Sequence, residues 1–308
     1  MNVSIICPIY NGEKYIESLN ESLEKQKNVC IKDITYILTE SKDNSEIILK
    51  NFSLNYSKIS KKDFSHSLTR EKFAMKAKGQ IIVFITQDII IQDDVWLYEL
   101  TKDISNGICH ASFSRQVSNS KGIEHYIRPK NYPNKSRIVS NKDIDRYGLM
   151  TFFFSDASAA IRKDIFVKLN GYDNKNLIIS EDMYIAYKLI KNGYKIKYCS
   201  NSVVIHSHEF TLKQLFNRYF DTGVFFANNN YLNKYGENKS GFSLLKDVAK
   251  NSLASREYRI FFNILPNFAS RFIGMKLGKN YKKISKNLIK KFSLNKLYWD
   301  NKMMDSEE

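Results

Sequence analysis

Ile81-Ile82-Val83-Phe84-Ile85-Thr86-Gln87-Asp88 is the stretch on which the fold turns. Five consecutive apolar residues read as a strand covered on both faces, because a strand with one face in water alternates polar and apolar side chains. The polar triplet behind it leaves a carboxylate, Asp88, at the strand's C-terminal end. Upstream, residues 3–7 form a second apolar run that Pro8 is expected to close. A helical pattern follows, with Tyr15, Leu19 and Leu23 at four-residue spacing. Residues 34–39 read as another strand, and residues 40–45 as a polar loop opening a helix. Residues 65–77 are helical and stop at Gly79, a C-terminal signal. Downstream, Trp96, Leu97, Leu100 and Ile104 mark a helix for which Asp93 and Asp94 are the N-cap candidates. This alternation over about the first 110 residues predicts an α/β fold with a mostly parallel sheet flanked by helices. Ligands of such sheets bind beyond the C-terminal strand ends, which singles out Tyr10-Asn11, Glu40 and Gln87-Asp88.

The pattern weakens over residues 115–149, where Pro129 and Pro133 fall, and a long functional or mobile loop is expected. Order resumes at residues 151–161 and in a helix over 181–192 closed by Gly193. Residues 203–206 make a further strand candidate, and residues 211–231 a helix. The tail is basic and helical, with Leu277, Tyr281, Ile284, Leu288 and Phe292 forming one apolar stripe among lysines.

Of 308 residues, 43% are hydrophobic, enough for a substantial core. Cys7, Cys30, Cys109 and Cys199 are scattered without a C-x-x-C pair, which argues against a zinc site or disulfide framework and fits a reducing cytoplasm. No basic-then-apolar leader opens the chain, so no signal peptide is expected. The most apolar late run, residues 258–275, is broken by Pro266 and Arg271 and is too interrupted to span a bilayer. The formal charge is +16, and residues 242–300 hold 13 Lys and Arg against three acids. That excess asks for a polyanion or an anionic membrane surface as partner.

Several groups carry chemistry. Asp88 suits a divalent cation held against a diphosphate, although on position alone it is equally a turn residue. Glu181 and Asp182 are adjacent acids behind Ser180, itself an N-cap candidate. First-turn acids favour the helix dipole, and a general base would need one of them to face a pocket. His206 and His208 share a face if the segment is extended. Arg70 suits a phosphate, or else an ordinary ion pair.

In this order the residues resemble the family 2 glycosyltransferases. Pro8-Ile-Tyr10-Asn11 is similar to that family's opening motif, and the loop from Glu40 lies where the family carries an acid contacting the base. Phe64-x-His66-x-x-x-Arg70, then Gly79 and Thr86-Gln87-Asp88, resemble the bacterial rhamnosyltransferases of cell-surface polysaccharide synthesis. Phe154-Ser155-Asp156, Gly171-Tyr-Asp173, Glu181-Asp182, His206-x-His208 and Arg218-Tyr-Phe-Asp221-x-Gly223 extend the resemblance to about residue 225. Thr86 stands where the usual metal motif has its first Asp, so Asp88 is without that partner and His208 becomes a candidate second ligand.

The resemblance implies a GT-A (Rossmann-like) catalytic domain over 1–232, its nucleotide-binding half about 1–110 and its acceptor half about 111–232. A basic helical extension would occupy 233–308. It further implies an inverting transfer with Asp182, or alternatively Glu181, as base, and Mg2+ or Mn2+ at Asp88. Pro8, Tyr10, Asn11, Glu40, His66, Arg70, Gln87 and Asp156 would contact the nucleotide sugar. The donor would be dTDP-rhamnose, and the acceptor a saccharide or lipid-linked saccharide. The enzyme would be cytoplasmic and peripheral on the inner face of the membrane, with the lysine-flanked tail stripe on anionic lipid or packed on the domain. A uridine-nucleotide glucosyl- or galactosyltransferase of the same fold is the alternative. A nucleic-acid-binding protein is disfavoured, because the tail's aromatics follow helical core spacing and form no stacking platform.

Overall fold

The computed structural model describes residues 1–236 and 240–304; residues 237–239 and 305–308 of the expected extension lie outside the described residues. Among the described residues, nine strands form one sheet. They are β1 (Asn2–Ile9), β2 (Cys30–Thr39), β3 (Tyr56–Ile59), β4 (Ile81–Ile85), β5 (Ile90–Ile91), β6 (Ala111–Val117), β7 (Arg137–Val139), β8 (Ser158–Arg162) and β9 (Ile196–Ile205). The helices up to the middle of the chain are α1 (Glu13–Glu24), α2 (Ser45–Asn51), α3 (His66–Lys76), α4 (Trp96–Ser105), α5 (Glu124–Asn131) and α6 (Ile144–Tyr147). Then come α7 (Lys163–Lys168), α8 (Glu181–Lys191), α9 (Leu212–Asn228), α10 (Ser240–Ala254), α11 (Tyr258–Lys279), α12 (Lys286–Phe292) and α13 (Lys296–Met304). The chain forms two compact units. The first holds Met1–Val117, Tyr132–Lys175 and Glu181–His206; the second holds Ser118–Asn131, Asn176–Ser180 and the chain from Ser207.

The first unit contains the sheet, in the order β3-β2-β1-β4-β8-β6-β9-β5 with β7 beside β9. Strands β3, β2, β1 and β4 run parallel. Strand β8 is antiparallel to both β4 and β6, and β6 is parallel to β9. The sheet is therefore mixed and mostly parallel, as the alternation predicts. All five residues of β4 are fully buried, and Ile81, Val83 and Ile85 share one core cluster with Ile16, Leu19 and Leu23 of α1 and Trp96, Leu97, Leu100 and Ile104 of α4. Each such side chain contributes about 1.5–3 kcal/mol by leaving water.

Several local expectations are corrected. Pro8 lies inside β1, paired with Ile37. Pairing with β4 ends at Ile6, so Pro8 sits where β1 has an open flank, the place a ladder tolerates a residue without an N–H. Gly79 is no helix stop: Ala77 caps α3, while a Cβ at Gly79 would meet Ser4 N at 2.4 Å. Its value is close approach to β1, and its N–H donates to Ser4 Oγ at 2.6 Å. Val95 occupies the N-cap of α4; Asp93 accepts from Val95 N–H and Asp94 pairs with Lys27. Residues 115–149 are no long loop but carry the end of β6, then α5, β7 and α6. Ser180 has φ 63°, outside the extended region that an N-cap uses.

The second unit is helical. Thr211 and Gln214 form a capping box at the start of α9. The tail stripe expected from sequence is not one helix, because a 3-10 turn at Tyr281–Lys283 separates α11 from α12. Tyr281 is buried and donates to Asn228 Oδ1 at 2.8 Å, and Phe292 packs edge-on against Phe216 and Phe220 of α9. Asp221 accepts from the Leu294 and Asn295 N–H groups at 2.9 and 3.0 Å, tying the chain before α13 to α9.

Candidate active site

The ends of β1, β2 and β4 converge as the topology requires. Gln87 clasps the Tyr10 peptide: its Oε1 accepts from Tyr10 N–H at 2.8 Å and its Nε2 donates to Tyr10 O at 3.0 Å. Gly12 makes room for it, since a Cβ there would lie 2.8 Å from Gln87 Oε1. Asn11, at φ 46°, accepts from Lys42 N–H at 3.0 Å and donates its own N–H to Ser41 Oγ at 2.9 Å. The loops after β1 and β2 are thereby laced together. Glu40 accepts from Lys61 N–H at 3.0 Å, and Lys61 Nζ donates to Tyr10 Oη at 3.1 Å. Tyr10, Glu40 and Lys61 are exposed and form one polar rim, with Pro8 half-buried behind Tyr10. The hydrogen bond from Lys61 lowers the Tyr10 phenol below its ordinary value. Sequence reading missed Lys61, whose only signal is a Lys-Lys pair before Phe64.

Asp88 stands at the end of β4, 3.5 Å from His206 Nε2. The other ring nitrogen, Nδ1, is 3.0 Å from Gln116 Oε1, and Gln116 Nε2 donates to Ser155 Oγ at 2.7 Å. The ring is thereby oriented with Nε2 towards Asp88. A carboxylate beside an imidazole nitrogen fits a divalent cation. His206 thus joins Asp88 in the first unit, and His208, two residues along, belongs to the second.

A different cluster is buried. Arg70 NH1 donates to Glu181 Oε1 at 3.0 Å and to the His66 carbonyl at 3.2 Å, while the exposed His66 ring stacks edge-on with Phe64. Asp156 lies in the same cluster, accepting from Tyr172 Oη at 2.7 Å. Burial lifts its carboxyl to about 6; Arg70 opposes the shift and Glu181 adds to it. Gly171, at φ 44°, delivers Tyr172 to this place, and a Cβ there would meet Glu71 Oε2 at 2.8 Å. The two adjacent acids consequently differ. Glu181 is buried against Arg70, whereas Asp182 is half-exposed and accepts from Met183 N–H at 2.7 Å.

The second unit has a cavity of about 390 Å³ whose lining includes Lys121, Glu124, His208, Phe210, Arg259 and Asn267. Its wall is braced by Ser120 Oγ donating to Glu209 at 2.9 Å. The wall mixes cations, acids, an amide and an aromatic ring.

The model of glycosyl transferase family 2 matches residues 4–169. This chain belongs to that family. Over 309 aligned residues the glycosyltransferase is 33% identical to the O-antigen chain rhamnosyltransferase RfbN of Salmonella typhimurium, covering 98% of this chain and 97% of the relative. It is 33% identical to the O-antigen chain rhamnosyltransferase WbaN of Salmonella anatum, covering 97% and 96%. Among solved structures it is similar to the mannosyltransferase PcManGT from Pyrobaculum calidifontis, described in complex with GDP-Man and Mn2+ (TM-score 0.61, 12% identity, 92% of this chain and 88% of the other). It is also similar to S. aureus TarS residues 1–349 (TM-score 0.54, 14% identity, 92% and 93%). The GT-A fold expected from the sequence is the fold observed, and the protein is a glycosyltransferase.

Proposed function

We propose that this glycosyltransferase is inverting and metal-dependent, and moves rhamnose from dTDP-rhamnose to a saccharide or lipid-linked saccharide in cell-surface polysaccharide assembly. Catalysis resides in residues 1–232, with 233–308 as a basic extension, and the enzyme works in the cytoplasm on the inner face of the membrane. The names of the two Salmonella relatives support the sugar and the pathway class. The observation that carries the chemistry is Asp88 facing His206 Nε2 at 3.5 Å beyond the end of β4. These two residues, with His208 following in the chain, would hold Mg2+ or Mn2+. The ion would supply positive charge against the departing diphosphate.

The remaining roles belong to the chain itself. Asp182 takes the proton from the acceptor hydroxyl, whose oxygen bonds to the anomeric carbon as the bond from that carbon to the diphosphate oxygen breaks. Such base assistance is worth roughly 10²–10⁴-fold. Glu181 is the weaker base, because Arg70 holds its carboxylate in an ion pair. Arg70 and Asp156, both buried, position Glu181 and the start of α8, and His66 covers Arg70. Tyr10, Glu40 and Lys61 hold the nucleotide, with Pro8, Asn11 and Gln87 setting their loop. The cavity of the second unit is a subsite for the acceptor.

The test is a donor panel with the full chain. Hydrolysis and transfer should be fastest with dTDP-rhamnose, vanish with EDTA and return with Mn2+ or Mg2+. Faster turnover of UDP-glucose or UDP-galactose would sink the donor assignment, and indifference to EDTA would sink the metal.

A further inference from the structure

Helix α11 is turned against the usual rule. The side it buries carries Ile264, Asn267, Gly274 and Gly278, with Ile260, Phe261 and Phe268 partly buried beside Ile264. Arg271 is half-buried and held by Tyr219 and Glu124 at 2.8 and 2.7 Å. The opposite side carries Tyr258, Phe262, Leu265 and Phe272, all in water, the last three 75%, 74% and 67% exposed. Their spacing of four, three and seven residues puts them on one line along the helix, with Ile273 exposed beside it. A helix of a globular domain places such side chains inward and its polar ones outward.

Glycines explain the inversion. A Cβ on Gly278 would lie 1.9 Å from Phe220 O, one on Gly274 would lie 2.4 Å from Phe216 O, and one on Gly223 would lie 2.4 Å from Met275 O. Helices α9 and α11 therefore touch backbone to backbone, and only the glycine edge of α11 permits that approach. Rolling α11 to bury Phe262 and Phe272 would force bulky side chains into the seam. The orientation is locked, and the apolar row is left outside. Monomers in water rarely leave so long a contiguous apolar row uncovered.

The ends of that row are basic. Arg256 and Arg259 stand at its start, Lys276, Lys282 and Lys283 at its finish, and all are exposed. Glu257, the acid among them, accepts from Tyr126 Oη at 2.7 Å. No described helix is long and apolar enough to cross a membrane. We propose that this face of α11 lies in the plane of an anionic phospholipid bilayer. Tyr258, Phe262, Leu265 and Phe272 enter the acyl boundary, and the arginines and lysines at both ends meet phosphate head groups. A second copy of the chain fits less well, because two-fold pairing would set like-charged rims against each other. The proposal locates the membrane contact of the function proposed above, yet it rests on α11 alone and on no donor assignment.

The experiment is flotation of the full chain with vesicles of phosphatidylglycerol and phosphatidylethanolamine, compared with the triple variant Phe262→Ser, Leu265→Ser, Phe272→Ser. The wild type should float, and the variant's partition coefficient should fall at least about tenfold. Replacing the lipid by phosphatidylcholine should weaken the wild type at least about fivefold. The variant's thermal midpoint and its hydrolysis of dTDP-rhamnose serve as controls and should match the wild type. A variant that partitions like the wild type, or a wild type that does not float, overturns the proposal. So does a wild-type dimer in sedimentation that the triple variant dissolves, since the row would then belong to a second copy. A wild type that floats but does not hydrolyse dTDP-rhamnose would indict the catalytic reading instead.

Discussion

Phe84 in strand β4 is fully buried against Phe166, with ring centroids 5.9 Å apart, whereas Phe262 in helix α11 is 75% exposed. Both segments carry large apolar side chains, and these two phenylalanines face opposite media. Strand β4 is hydrogen-bonded on both edges and covered on both faces, so its side chains have nowhere to go but the core, and its polar chemistry appears only where the strand ends at Asp88. Helix α11 is held through its glycine edge, so Phe262, Leu265 and Phe272 are left on the outward side. Apolar composition thus marks a need for burial without saying what does the burying. In the first unit the protein itself supplies that medium; in the second we assign it to lipid.

The comparison can be broken in three places. The largest expected effect is on chemistry alone: Asp182→Asn should lower transfer by roughly 10²–10⁴-fold, while donor affinity by calorimetry and vesicle partition stay near wild type. A loss of only a few-fold would put the base elsewhere. Next come two identical truncations. Phe84→Ala should cost about 3–5 kcal/mol in denaturant unfolding, whereas Phe262→Ala should change stability by no more than about 0.5 kcal/mol. Equal costs would mean that α11 is covered by protein after all.

A smaller effect concerns Asp156, a charge buried where the apolar strands leave room for one. Its carboxyl sits at about 6 in the folded protein against an ordinary value of 3.8. The folded state therefore binds this proton more tightly, and the group's stabilising contribution, full at low pH, is lost as pH rises from about 4 through about 6. Asp156→Asn should remove that loss, at most about 3 kcal/mol, so the variant should gain on the wild type between pH 4.5 and 7 in thermal melts. An unchanged difference across that range would mean that the carboxyl is not buried in solution.

Much of the first unit was legible in the sequence, because strands covered on both faces write themselves as unbroken apolar runs and amphipathic helices as a 3.6-residue rhythm. The nucleotide-binding candidates Tyr10 and Glu40 and the metal candidate Asp88 followed from strand ends. What stayed hidden were partners distant in sequence. Arg70 reaching Glu181 is a contact across 111 residues, and nothing local separates a buried ion pair from a phosphate ligand. Lys61 was hidden for the same reason, since a lysine beside a turn is ordinary until Tyr10 and Glu40 are folded onto it.

By itself the sequence determined the α/β layering, the family and the place of Asp88, since hydrophobic period and residue order are local properties of the chain. Only the tertiary structure decided which of two adjacent acids is buried against Arg70 and which is half-exposed, and which histidine faces Asp88 within the first unit. It alone also turned α11 outward. That last choice depends on glycine contacts between helices far apart in the chain, and backbone proximity of that kind leaves no periodic trace in the side chains it exposes.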